Sequence, residues 1–65
     1  MKLTVNGKPE ETTACSLLDY IRQKGISPEG IVVELNYKIV KKPDFPDIQL
    51  QENDNLELLS FVGGG

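Results

Sequence analysis

Few residues in this 65-residue chain have side chains suited to covalent or acid–base chemistry. There is no histidine, one cysteine (Cys15), and ten acidic side chains against seven basic ones. The commonest general base and metal ligand is therefore missing, and a single cysteine excludes an internal disulfide. What stands out is the carboxyl end, Phe61-Val62-Gly63-Gly64-Gly65. Three glycines carry no side-chain chemistry, so the group they present is the α-carboxylate of Gly65. A segment without Cβ atoms can enter a channel too narrow for a side chain. Four extended residues reach roughly 14 Å beyond a folded body. The expectation is a folded domain over 1–62 and a flexible tail over 63–65, because ordering each residue costs about 1–2 kcal/mol of backbone entropy. Gly65 is the candidate modified group, with Gly63 and Gly64 as its stem.

The other candidates are weaker. Cys15 near a helix start would have a lowered thiol pKa, but no histidine exists to serve as its base, and a lone cysteine reads more simply as a small buried hydrophobe. Asp44, Asp47, Glu52 and Asp54 lack the spacing of a calcium loop and read as solvated turn residues. No catalytic residue and no metal site is expected. The net charge of −3 argues against nucleic acid or an anionic membrane as partner. Met1-Lys2-Leu3-Thr4 lacks an apolar signal core and no apolar run is long enough to span a membrane, so a reducing cytoplasm is the expected location.

The elements that must position the tail follow from pattern. Lys2-Leu3-Thr4-Val5 alternates and meets Asn6-Gly7, a two-residue hairpin signal in which both positions take positive φ. That turn pairs Val5 with Lys8 and Leu3 with Glu10, and Pro9 suits an edge strand over 8–12. Thr13 is the expected N-cap of a helix of about eleven residues, since Ala14, Leu17, Leu18 and Ile21 fall at i, i+3, i+4 and i+7. Gly25 is its C′ residue, with Ile26 behind it. Ile31 to Leu35 is a β-branched strand with Ile31, Val33 and Leu35 facing inward. Asn36-Tyr37 turns into a short strand at 38–40, and Pro43 starts a helical turn in the loop that follows. Residues 51–55 form a polar turn. Leu56 to Phe61 form the last strand, with Leu56 and Leu58 toward the helix and Glu57, Leu59 and Phe61 on the other face. No second helix exists to cover that face, so Leu59, Phe61 and Val62 are the candidate partner-binding residues, with Val32 nearby.

One amphipathic helix and four or five strands are satisfied by an α+β fold, a mixed four- to five-stranded sheet with the helix across one face. The first and last strands can then lie parallel at its centre through a right-handed crossover, the β-grasp arrangement. Such a chain ending in Gly-Gly resembles the ubiquitin-like proteins and, most closely, the thiamine-pathway sulfur carriers of the ThiS family. The resemblance rests on Phe-Val-Gly-Gly-Gly at 61–65, Asn6-Gly7, the Leu17-Leu18 pair and Val-Glu-Leu-Asn at 33–36. Glu52-Asn53-Asp54-Asn55 departs from the family's usual Asp-Gly-Asp, and Asn53 must then take the left-handed conformation that glycine would supply.

The resemblance implies a carrier, not an enzyme, with no cofactor of its own. A partner adenylating enzyme uses ATP and Mg²⁺ to activate the Gly65 carboxylate. Sulfur from a cysteine desulfurase then converts it to a thiocarboxylate, which supplies thiazole synthase. Two alternatives stand beside it. One is a sulfur carrier of the molybdopterin type, although that family is usually longer and lacks the third glycine. The other is a ubiquitin-like interaction module that never uses its carboxylate.

Overall fold

The computed structural model describes residues 1–60; the expected domain edge at 62 and the tail at 63–65 fall outside the described residues. Five strands form one sheet: β1 (Lys2–Val5), β2 (Lys8–Glu11), β3 (Ile31–Leu35), β4 (Lys38–Val40) and β5 (Asn55–Ser60), in the order β2-β1-β5-β3-β4. β5 is central, parallel to β1 and antiparallel to β3. The one α-helix among the described residues, α1 (Leu17–Gln23), lies on one face.

Both hairpins are set by their turns. Asn6 and Gly7 have φ of 51° and 81°, and the register pairs Val5 with Lys8 and Leu3 with Glu10 as the dipeptide requires. Asn36 and Tyr37 have φ of 51° and 71°, a second turn of the same kind, pairing Leu35 with Lys38. Positive φ at both centres matches the right-handed twist of the strands on either side.

The helix differs from its expected bounds. It begins at Leu17, with Ser16 as N-cap accepting a hydrogen bond from the Asp19 amide at 3.1 Å, not at Thr13. It has seven residues instead of about eleven. The physical reason is competition from tertiary pairing. The Leu17 amide donates to the Ile48 carbonyl at 3.0 Å and the Leu50 amide to the Cys15 carbonyl at 2.8 Å, so the chain just before Leu17 lies extended, with Ser16 bridged to Gln49. Ala14 is still buried, but as part of an extended segment. Starting at Leu17 also puts Tyr20 on the inward face beside Ile21, and leaves Leu18 half-buried. The C-terminus is as expected. Gly25 has φ of 73°, its amide donates to the Arg22 carbonyl, and that of Ile26 to Ile21, a Schellman motif.

The core is Leu3, Val5, Ile31, Val33 and Leu56 from the sheet, Leu17, Tyr20 and Ile21 from α1, and Ala14, Phe45 and Leu50 from the connections. Phe45 lies in a 3₁₀ segment, Lys42–Asp47, with Pro43 in its first turn. β2 contributes no apolar side chain to this core. It is held instead by Glu10, whose Oε1 accepts from the Tyr20 hydroxyl at 2.6 Å and from Lys24 Nζ at 2.8 Å. Lys24 Nζ also sits 5.6 Å from the Tyr20 ring centre. The Lys24 hydrogen bond, then that of Tyr20, holds the Glu10 carboxyl below its ordinary pKa. Burial first, and the Glu10 carboxylate second, push the Tyr20 phenol up.

Candidate functional site

The tail follows directly on β5, so the site is built from what holds β5 and from the face it shows. On one side β5 pairs with β3 over its whole length, from Leu35↔Leu56 to Ile31↔Ser60. On the other, the parallel pairing with β1 covers only Asn55 and Leu56. Beyond it the Asn6 side chain takes over: the Asn6 amide donates to the Leu56 carbonyl at 2.9 Å, and Asn6 Oδ1 accepts from the Leu58 amide at 2.7 Å.

The start of the strand is fixed by a second asparagine. Asn36 Oδ1 accepts from the Asn55 amide at 2.9 Å, while Asn36 Nδ2 donates to Asp54 Oδ1 at 3.0 Å. Asp54 Oδ2 accepts from the Gln51 amide at 2.8 Å. Asp54 is thus buried and fully engaged, not a solvated turn residue. Glu52 also has a local role, accepting from the Lys2 amide at 3.0 Å. Asn53 takes φ of 70°, the conformation its place in the turn demands.

The two faces of β5 separate as alternation requires. Leu56 is fully buried and Leu58 half-buried against the helix-side core, whereas Glu57 and Leu59 are exposed. Leu59 is 66% exposed and lies directly opposite Val32, itself 38% exposed. Ile39 on β4 pairs with Glu34 and is 69% exposed, extending the apolar strip. Glu34 and Glu57 face each other across β3 and β5 beside it. Phe61, Val62, Gly63, Gly64 and Gly65 lie outside the described residues.

Ile39 and Tyr37, the latter 80% exposed at its hairpin tip, are absent from the sequence-based site. The two-residue turn at 36–37 fixes a register that sets Ile39 opposite Glu34, on the same face as Val32 and Leu59 and one row from them, so the signal for Ile39 was present. Cys15 is exposed, contrary to the expected burial, because it precedes the helix on an extended segment. Among the described residues no three His, Cys, Asp or Glu side chains gather where they could hold a metal ion. No helix there is long and apolar enough to cross a membrane.

A mixed sheet with parallel first and last strands at its centre, clasping one helix, is the β-grasp architecture of ubiquitin-like proteins. The comparisons narrow the class. The ThiS family model matches residues 3–65, and the chain belongs to the ThiS family. The crystal structure of the thiamine biosynthesis protein (ThiS) from Geobacter metallireducens superposes with a TM-score of 0.84 at 30% identity, covering all of both chains. The NMR structure of a thiamine biosynthesis protein from that organism gives 0.81 at 30% identity, covering all of this chain and 88% of that one. Two curated relatives are described as thiazole synthase. That of Magnetococcus marinus is 35% identical and that of Paramagnetospirillum magneticum 30% identical, each over 66 residues. The chain spans about a fifth of their length, 20% of each.

Proposed function

We propose that this protein is the sulfur carrier of thiamine biosynthesis, with the Gly65 carboxylate as its working group. The observation that carries the reading is the ThiS match, which runs through residue 65 and so includes the Gly-Gly-Gly end. A carboxylate is a poor electrophile, so an adenylating partner must first join it to AMP from ATP and Mg²⁺, releasing pyrophosphate. The persulfide sulfur delivered by a cysteine desulfurase then displaces AMP at the carbonyl carbon to give an acyl disulfide, and a second thiol attacks the carrier-distal sulfur, leaving as a disulfide and releasing the thiocarboxylate. The resulting thiocarboxylate is a soft nucleophile able to give sulfur to thiazole synthase; the relatives of that name, which contain a region like this chain, support the pairing. The domain itself is a co-substrate and carrier, and the reducing cytoplasm is where such a thiocarboxylate would persist.

In this reading β5 delivers the tail, and the exposed Leu59, with Phe61 and Val62 after it, forms the contact that brings partners to its root. The test is intact mass measurement after incubation with ATP, the cognate adenylating enzyme and a sulfur source. One oxygen of Gly65 should be replaced by sulfur, as located by fragmentation, and a chain extended by one residue beyond Gly65 should stay unchanged. Equal modification of the extended chain would refute the carrier role and leave an interaction module that does not use its carboxylate.

A further inference from the structure

We infer that Asn6 is a positioning residue for the carboxyl terminus: its side chain substitutes for the missing continuation of β1 and fixes the last residues of β5. The inference rests on the carrier reading and adds to it a residue outside the tail. β1 ends at Val5 because the chain must turn back at Asn6-Gly7 into β2. β5 runs on for four residues past its last partner in β1, Leu56. In a parallel ladder the next rung would be a backbone carbonyl of β1 accepting from the Leu58 amide. The turn has carried that backbone away, and Asn6 Oδ1 stands in its place at 2.7 Å. The Asn6 amide supplies the preceding rung, to the Leu56 carbonyl at 2.9 Å.

Among the described residues, this is the one hydrogen bond on the β1 side of β5 beyond Leu56. Everything else that holds Glu57 to Ser60 in the sheet comes from β3. A strand held on one edge alone is free to change its twist at the end, and here that end is one residue from Phe61. The left-handed turn and the strand are therefore coupled through one side chain. Asparagine is suited to both tasks, since it tolerates φ of 51° and carries an acceptor. Glycine would satisfy the turn alone.

The experiment compares Asn6→Gly and Asn6→Asp with the unaltered protein. Glycine keeps the turn and removes the acceptor; aspartate keeps an acceptor and tolerates the conformation. Two readouts are taken: amide exchange at Leu58, and steady-state kinetics of Gly65 adenylation by the cognate enzyme. In Asn6→Gly, Leu58 exchange should rise about 10-fold while Val33 and Leu3 are unaffected. There kcat should fall about 3- to 10-fold, the worth of one net hydrogen bond, with KM for the carrier unchanged. Asn6→Asp should restore both.

Unchanged Leu58 exchange in Asn6→Gly would overturn the inference, as would raised exchange with unaltered kcat. A rise in KM alone, or failure of Asn6→Asp to restore kcat, would make the role one of docking or of turn stability. Should Asn6→Asp lose its fold, as read by thermal unfolding, Asn6→Gly against the unaltered protein still tests whether the acceptor at Leu58 tracks kcat; loss of the fold in Asn6→Gly would make Asn6 a residue of the fold and overturn the positioning role. If the unaltered protein is not adenylated at all, the carrier reading falls and the positioning role with it. Adenylation of the unaltered protein with an equally active Asn6→Gly sinks the positioning role alone.

Discussion

Replacing Tyr20 by Phe removes one oxygen atom and tests how the edge strand is held. The hydroxyl donates to Glu10 Oε1 at 2.6 Å, and a hydrogen bond to a charged acceptor is worth about 1.5–3 kcal/mol. The lower end applies, because the Glu10 side chain is 30% exposed and keeps its 2.8 Å contact with Lys24. A loss of about 1.5 kcal/mol at pH 7 corresponds to a fall in Tm of about 6–12 °C for a domain of this size. The pH dependence is the sharper part. The folded pKa of Tyr20 is raised above its ordinary 10.0, first by burial and then by Glu10. A raised pKa means that Tyr20's contribution is complete below pH 10 and is lost as pH climbs above it. The loss proceeds at up to about 1.4 kcal/mol per pH unit. The variant has no phenol to ionise, so the two stability curves should converge near pH 11, about one unit above pH 10, where the loss reaches about 1.4 kcal/mol. Lysine deprotonation affects both proteins and cancels in the difference. Urea unfolding from pH 7 to 11.5, with equal m-values, gives the two curves. Equal stability at pH 7, or curves that stay parallel through pH 11, would refute the reasoning.

The other expectations concern the sheet faces and one strained turn. Leu58→Ala should cost about 1–2 kcal/mol by urea unfolding, less than for a fully buried leucine because Leu58 is half-buried. Leu59→Asp should change stability by no more than about 0.5 kcal/mol and weaken calorimetric binding to the adenylating enzyme at least about 10-fold; the reverse pattern would mean that the faces are misassigned. Tyr37→Gly should raise stability by about 1 kcal/mol in thermal unfolding, by relieving a bulky residue at φ of 71°. A destabilised Tyr37→Gly protein would show that the exposed ring makes a contact worth more than the strain.

Legibility in the sequence followed the range of the interactions. Asn6-Gly7 fixed its hairpin and register because a two-residue turn with positive φ at both centres leaves no other pairing. β3 was readable from its β-branched run and β5 from alternation, and their faces followed with them. The start of α1 was not, because Thr13 and Ser16 are both competent caps and the choice between them is made by residues 48–50, more than thirty positions away. Tyr20 was missed as core for the same reason, since its inward place depends on where the first turn begins. The Asn6–Leu58 and Asn36–Asp54–Asn55 bonds span 52, 18 and 19 positions. No local pattern announces them; asparagine at a turn is already accounted for by its backbone. In the candidate site, Leu59 was legible through strand alternation, while the devices that hold its strand in place were visible only in three dimensions.

The two faces of the sheet are also built to different standards. On the helix side the apolar residues from the sheet, α1 and the connections form one cluster, and no buried side-chain polar atom among the described residues lacks a partner. On the open side Glu34 lies directly across from Glu57, a like-charge pair that disfavours the sheet it sits on. Beside it Val32, Ile39 and Leu59 expose apolar surface that folding leaves in water. At the adjoining hairpin tip Tyr37 holds a left-handed backbone with its ring in solvent. Each feature alone is tolerable. Their coincidence on one face is not what selection for stability would produce, since Thr at 34 or 57, or Gly at 37, would remove the penalties without touching the core. Local rules broken together in one place, while the opposite face obeys them, are expected where a surface serves something other than the fold. The strand carrying Leu59 is also the one that leads to Gly65, so in the carrier reading proposed above the open face is the one a partner approaches.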